Sequence, residues 1–302
     1  MMLEVKIPLG HVSGRVDHLG IDLKRQRLLV AEFGNNSFSV VDLAAGKVLR
    51  RIAGLSEPQG VAYVPSPDSV FVANGDDGSV HVLRGGDLAP IGRIELGDDA
   101  DNVRVDTGRN RVVVGYGKGA LAVIDPISLA KTANIRLKAH PEGFQIDETG
   151  TQAFVNVPGA HEIEVVDLAT GSAQSLSTQG AGSNFPMAID GDAHRILVVF
   201  RSPPVLMALS SHDGHVVGKA ETCGDADDVF VDRKRHRIYV SCGAGSVDVL
   251  EPDGQGYRRL ARVPTAPGAR TSLFVPELDR LFVAVRAQPI KPAAIWVFRP
   301  AS

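Results

Sequence analysis

Two nearly identical eight-residue stretches organise the side chains able to do chemistry: Asp99-Ala-Asp-Asn-Val-Arg-Val-Asp106 and Asp225-Ala-Asp-Asp-Val-Phe-Val-Asp232. Asn102 and Asp228 lie 126 positions apart, three periods of 42. At the same period stand Asp17-His18, Gln59-Gly60, Glu142-Gly143, Phe185-Pro186 and Thr271-Ser272, so the chain holds seven copies. Aligned this way, Asp17, Gln59, Asp101, Glu142, Phe185, Asp227 and Thr271 fall in one layer, and His18, Asn102 and Asp228 fall in the next. Carboxylates brought together in a partly desolvated place repel one another, so a proton or a cation must hold them. Oxygen-rich donors with an Asn suit Ca²⁺ or Mg²⁺, and Zn²⁺ enters if imidazoles take part. The expected metal set is therefore Asp17, His18, Asp101, His140, Glu142 and Asp227. The expected ligand-binding set is Asp17, His18, Gln59, Asn102, Glu142, Arg201, Asp228, Arg270 and Arg286, with the arginines offering pairing to a carboxylate or phosphate. A bound divalent ion would polarise a carbonyl or acidify a water, which is hydrolase or lyase chemistry. The plainer role for each Asp and Asn is to hold backbone N–H groups of the neighbouring loop.

The elements that position these residues follow from the period. Each copy reads as four short runs rich in Val, Ile and Phe, separated by Gly, Asn and Asp turns. In the first copy these are His18–Asp22, Leu28–Glu32, Ser37–Asp42 and Lys47–Ile52. Such runs are strand signals, and four strands at a period near 42 make a propeller blade. The sequence predicts an all-β fold, a seven-bladed β-propeller forming a single domain over residues 1–302. In a propeller the first strand of each blade lines a central channel, which puts the polar layer at one mouth. Residues at the ends of the second strands, Glu32, Asn74, Tyr116, Asn156, Arg201, Cys242 and Arg286, are expected nearby. The seventh copy ends before its fourth strand, and residues 3–9, Leu-Glu-Val-Lys-Ile-Pro-Leu, are the expected donor that closes the last blade. Asp22, Asp106, Asp147, Asp190 and Asp232 recur at the far end of the first strand and are read as turn-formers. The segment Arg201-Ser-Pro-Pro204 looks less regular than its counterparts.

Four signatures, Val70-Phe-Val-Ala-Asn74, Ser79-Val-His-Val-Leu83, Val165-Val-Asp-Leu-Ala-Thr-Gly171 and His140-Pro-Glu-Gly143, resemble the bacterial YVTN repeat over the whole chain. The resemblance implies a YncE-like seven-bladed propeller, bacterial and periplasmic or secreted, although the N-terminus shows no export signal. The leading expectation is a protein that binds a small ligand, a metal ion or a protein partner at the acidic mouth of the channel. The alternative is a metal-dependent, lactonase-like enzyme.

Composition narrows the partners. A net charge of −3 and only 5% aromatic residues give no footprint for duplex nucleic acid and little for single strands. The one basic run, Arg233-Lys-Arg-His-Arg237, is read as a solvated turn. No apolar stretch is long enough to span a membrane, and the expected state is monomeric. Cys223 and Cys242 are expected as two buried free thiols, with a bridge or a metal pair as the alternative.

Overall fold

The computed structural model describes residues 1–254 and 256–301. Twenty-eight strands form seven four-stranded sheets, and the only helical pieces among the described residues are 3₁₀ turns of three residues. In six sheets the strand order follows the chain, antiparallel from neighbour to neighbour, as for Ala100–Asp106, Arg111–Tyr116, Ala120–Ile124 and Lys131–Arg136. The seventh sheet runs from Met2–Gly10 through Ala293–Arg299 and Arg280–Val285 to Ser272–Val275. The N-terminal strand thus completes the last blade, as its sequence predicts, and the fold is the expected seven-bladed β-propeller.

Burial explains why the copies read as they do. The second strand of each blade is covered on both faces, and in Ser69–Asn74 every residue is buried. Its sequence is therefore a continuous apolar run instead of an alternating one. The fourth strand, such as Lys47–Ala53, is largely exposed and admits charge. The cores lie between consecutive blades: Phe38, Val40, Val61 and Val72 join the first two, and Leu197, Leu206, Val229 and Val240 join the fifth and sixth. The chain divides into two compact units, one of Lys6–Pro141 with Arg286–Ile295 and one of Glu142–Val285 with Met1–Val5 and Trp296–Ser302.

The recurrent aspartates at the far strand ends are turn-formers, as expected. Asp22, Asp106, Asp190 and Asp232 accept the N–H groups of Arg25, Arg109, Ala193 and Arg235, and Asp147 accepts that of Gln152. Two of these turns carry an additional clamp. Arg25 joins Asp22 to Asp68, and Arg235 joins Asp232 to Asp279, each guanidinium donating to two carboxylates. The arginine beside them is the main reason that Asp68 and Asp279 are both held down to about 2.

Two expectations are corrected. The segment after Arg201 is regular: Arg195–Ser202 pairs with Pro204–Ser210 up to Arg201 opposite Pro204, with two residues between them. Cys223 and Cys242 are not free thiols but a disulfide, with Cα atoms 5.9 Å apart. Cys223 sits past the end of its outer strand, in the segment leading to Ala226–Asp232, and that segment turns back along the end of Arg237–Cys242 where Ala226 pairs with Cys242.

Candidate functional site

The polar layer owes its geometry to one repeated backbone device. The first strands of blades two, three, five and six each begin with a β-bulge, between Pro58 and Val61, Ala100 and Val103, Asn184 and Met187, and Ala226 and Asp228. The bulges take in Gln59, Asp101, Phe185 and Asp227, four members of the predicted layer, together with Gly60, Asn102 and Pro186. A bulge re-aims side chains that regular pleating would alternate across the sheet. Two positions earlier the backbone is left-handed, at Glu57, Asp99, Ser183 and Asp225, with φ from 26° to 60°. At Asp99 and Asp225 this suits a residue type that tolerates such a conformation. Glycine fills the next layer where strands crowd: a Cβ on Gly60 would overlap the carbonyl oxygen of Asp101, and one on Gly143 that of Phe185.

In the first unit to carry the device, blades one to three and the segment after them assemble carboxylates and imidazoles. Asp101 is the centre, its side chain only 6% exposed. Its Oδ2 accepts a hydrogen bond from Asn102, whose own oxygen accepts one from Arg104. Its buried Oδ1 accepts none among the described residues. His18 Nδ1 stands 3.8 Å from Oδ1, and His140 Nε2 stands 3.9 Å from Oδ2. His18 also faces Asp17 at 3.0 Å, and Arg15 holds Asp17 at 2.7 Å while lying 4.0 Å over the Phe33 ring. On the other side Asp99 accepts from Gln59 at 2.8 Å and faces His140 at 3.5 Å.

The electrostatics follow from burial against pairing. His140 Nδ1 lies 2.6 Å from the carbonyl of Gly117, an acceptor only, so this nitrogen carries the proton and donates. Burial opposes the imidazolium, but Asp101, that carbonyl and Asp99 together outweigh it and push His140 up to about 9. Burial also drives Asp99 above the usual carboxylate range, with Asp101 and Asp98 adding to the push against the pull of His140 and Gln59. For Asp17 burial acts upward too, yet hydrogen bonding and charge from His18 and Arg15 prevail and bring it down.

In the second unit, the matching octapeptide is held by guanidinium groups. Arg201 donates to Asp227 and to the carbonyl of Ala226, faces Asp225 at 3.3 Å, and stacks 3.9 Å above the Phe185 ring. Arg270 donates to Asp225 at 2.8 Å and meets Asp227 at 3.0 Å. Asp228 takes the plainer role and accepts the backbone N–H of Ser272 at 2.6 Å. The Cys223–Cys242 bridge secures the segment that presents Asp225, whose carbonyl accepts the N–H of Gly243.

The predicted residues therefore separate. Asp17, His18, Gln59, Asp101, Asn102 and His140 meet in one cluster; Arg201, Asp227 and Arg270 meet in the other. Glu142 is half-buried at the start of its blade, its N–H bonded to the Asn156 carbonyl, and Arg286 follows Arg280–Val285 half-exposed. Glu32 is fully buried and held by Arg51 and Ser37, and Asn156 donates to the carbonyls of Phe185 and Pro186. Both are structural. Arg201 and Arg270, both named from the sequence, meet Asp225 and Asp227, whereas Arg15, which meets Asp17, is not among the expected residues. Arg15 lies in an irregular segment, and its one sequence signal is its place two residues before Asp17. Among the described residues no group of three or more His, Cys, Asp or Glu is arranged to hold a metal ion.

Fold and site together define a seven-bladed β-propeller whose polar groups gather at the starts of the first strands. No family model matches the chain, and no curated protein matches it. Solved structures do. A chain of the Kuenenia stuttgartiensis hydrazine synthase is 18% identical with a TM-score of 0.81, covering 96% of this chain and 98% of that one. A chain of a mitotic checkpoint complex is 12% identical with a TM-score of 0.84, covering 99% and 92%. The U3-55K structure is 8% identical with a TM-score of 0.82, covering 97% of both. At these identities the likeness is one of fold.

Proposed function

We propose that the chain is a YncE-like, YVTN-type binding propeller of an oxidising bacterial compartment, periplasmic or secreted, that holds a ligand at the Asp101 cluster. The observation that carries the reading is the orphaned Oδ1 of Asp101. A buried carboxylate oxygen left without a donor is costly, and a ligand N–H or ammonium group reaching it removes that cost. His18 and His140 both face Asp101, and Asp17 and Asp99 face the two imidazoles in turn. The ligand is a small molecule or a partner side chain that presents such a donor. The buried disulfide supports the compartment, since structural disulfides persist where the surroundings are oxidising.

A second reading, a metal-dependent hydrolase or lyase, is favoured by the two imidazoles facing the same carboxylate. It requires His140 to give up the proton that its neighbours stabilise, so metal affinity would rise steeply with pH. Thermal-shift titration of wild type and Asp101→Asn with primary amines, and with Ca²⁺, Mg²⁺, Mn²⁺ and Zn²⁺, separates the two. The binding reading expects stabilisation by an amine that is lost in the variant. Stabilisation by a metal alone, growing with pH, transfers the site to the second reading, and silence from both sets sinks the assignment of this cluster.

A further inference from the structure

Blades five and six enclose a cleft of about 300 Å³ at the opposite end of their strands from the bulges. The basic run that reads as a solvated turn lines it: Arg233 and Arg237 enter from one blade and Arg195 from the other. Val231 and Ile238 give the cleft an apolar side, and Tyr257, 92% buried, forms a wall. The carboxylates in the lining are Asp190 and Asp192. Of the three guanidinium groups, Arg233 faces both Glu148 and Asp192, the latter at 3.9 Å, and His236 stands beside them.

Arg195 differs from its counterparts in its partner. Arginine begins the second strand of five blades, and two of the others have carboxylate partners: Arg111 pairs with Asp106 at 2.9 Å and Arg280 pairs with Glu4. Arg195 has no ion-pair partner among the described residues. It donates to the Tyr257 hydroxyl at 2.8 Å and lies 5.6 Å from the centre of that ring. Arg233, by contrast, is held by Glu148, and Arg237 donates to the carbonyl of Ala301 at 2.7 Å. A half-buried guanidinium whose only described partner is a neutral phenol, at the side of a cleft with an apolar wall, has the chemistry of an anion site. It offers a fork of N–H donors to a planar or tetrahedral oxyanion and apolar surface to what carries it.

We infer that this cleft binds a small organic anion, a phosphate or carboxylate borne on an apolar ring, with Arg195 as the anion-holding residue. The site is separate from the Asp101 cluster, and its test stands whether or not that cluster binds an amine. Phenyl phosphate, benzoate and inorganic phosphate are titrated calorimetrically into the full chain. The expected order places phenyl phosphate about tenfold tighter than inorganic phosphate, because only the former buries a ring. Comparison with benzoate identifies the preferred head group. Arg195→Gln should weaken phenyl phosphate about tenfold. Tyr257→Phe, which keeps the wall and frees the guanidinium, should hold affinity within about twofold of wild type. Absence of heat with millimolar phenyl phosphate overturns the proposal, as does equal affinity in wild type and Arg195→Gln. A loss in Tyr257→Phe as large as in Arg195→Gln also overturns it, since Arg195 would then serve only as a staple between blades.

Discussion

Blades three and six carry nearly the same eight residues on nearly the same backbone, yet they solve the problem of gathered carboxylates with different cations. In blade three, Asp99 and Asp101 face imidazoles. In blade six, Asp225 and Asp227 face guanidinium groups, and a disulfide ties down the segment between blades. Arginine stays charged at every pH that the fold survives, whereas histidine titrates near neutrality. One copy of the motif is thus a fixed fastening and the other responds to its surroundings. The lesson is that repetition conserves geometry while the neighbours decide the chemistry.

The sharpest way to break this comparison is to remove the fastening. Replacing Cys223 and Cys242 together by Ser should cost about 3 kcal/mol, the usual effect of a bridge closing a loop of this size, read as a lower urea midpoint. Blade three has Tyr116 where blade six has Cys242, both opposite the alanine that opens the first strand. Tyr116→Phe, losing only a hydrogen bond to Asn134, should cost about 1 kcal/mol. Equal losses would erase the distinction. Next, Arg201→Leu leaves Asp225 and Asp227 sharing Arg270 and should cost about 2–3 kcal/mol, measured by the same titration.

A pH series sharpens the contrast further. Folding raises His140 from about 6.5 to about 9, so the native state binds the proton more tightly than the unfolded chain does. The stabilisation is complete below about pH 6.5 and is lost as the pH rises through 9, a change on the order of 2 kcal/mol. His140→Gln should flatten the stability profile across that window, and an unchanged slope would show that the imidazolium is not held there. The smallest effect is expected at Asp228→Ala, where loss of the bond to the Ser272 N–H should cost about 1 kcal/mol, seen as a small drop in thermal midpoint.

Much of this molecule is legible in the sequence, and the boundary is physical. The 42-residue period specifies the blades, the missing fourth strand of the last copy specifies its donor, and the turn aspartates behave as their repetition implies. The register is also right: Gln59, Asp101, Phe185 and Asp227 do share a place. What spacing could not reveal is the bulge at each of these positions, because a bulge needs no particular residue. The reach of Arg15 to Asp17 is equally hidden, since Arg15 lies over the Phe33 ring, which only folding brings near. The disulfide escaped because it joins a loop to a strand end and not strand to strand.

The last sheet is where the two ends of the chain are sewn together. Glu4, from the first strand, meets both Arg280 and Arg299, the latter at 2.8 Å. The strand Met2–Gly10 pairs with Ala293–Arg299, which lies at the far end of the described sequence. Every other sheet assembles from contiguous chain, so this seam has the longest loop to close and should form last. Until then Met2–Gly10 lacks its partner, and hydrogen exchange during refolding would find it gaining protection after the strands of the other blades.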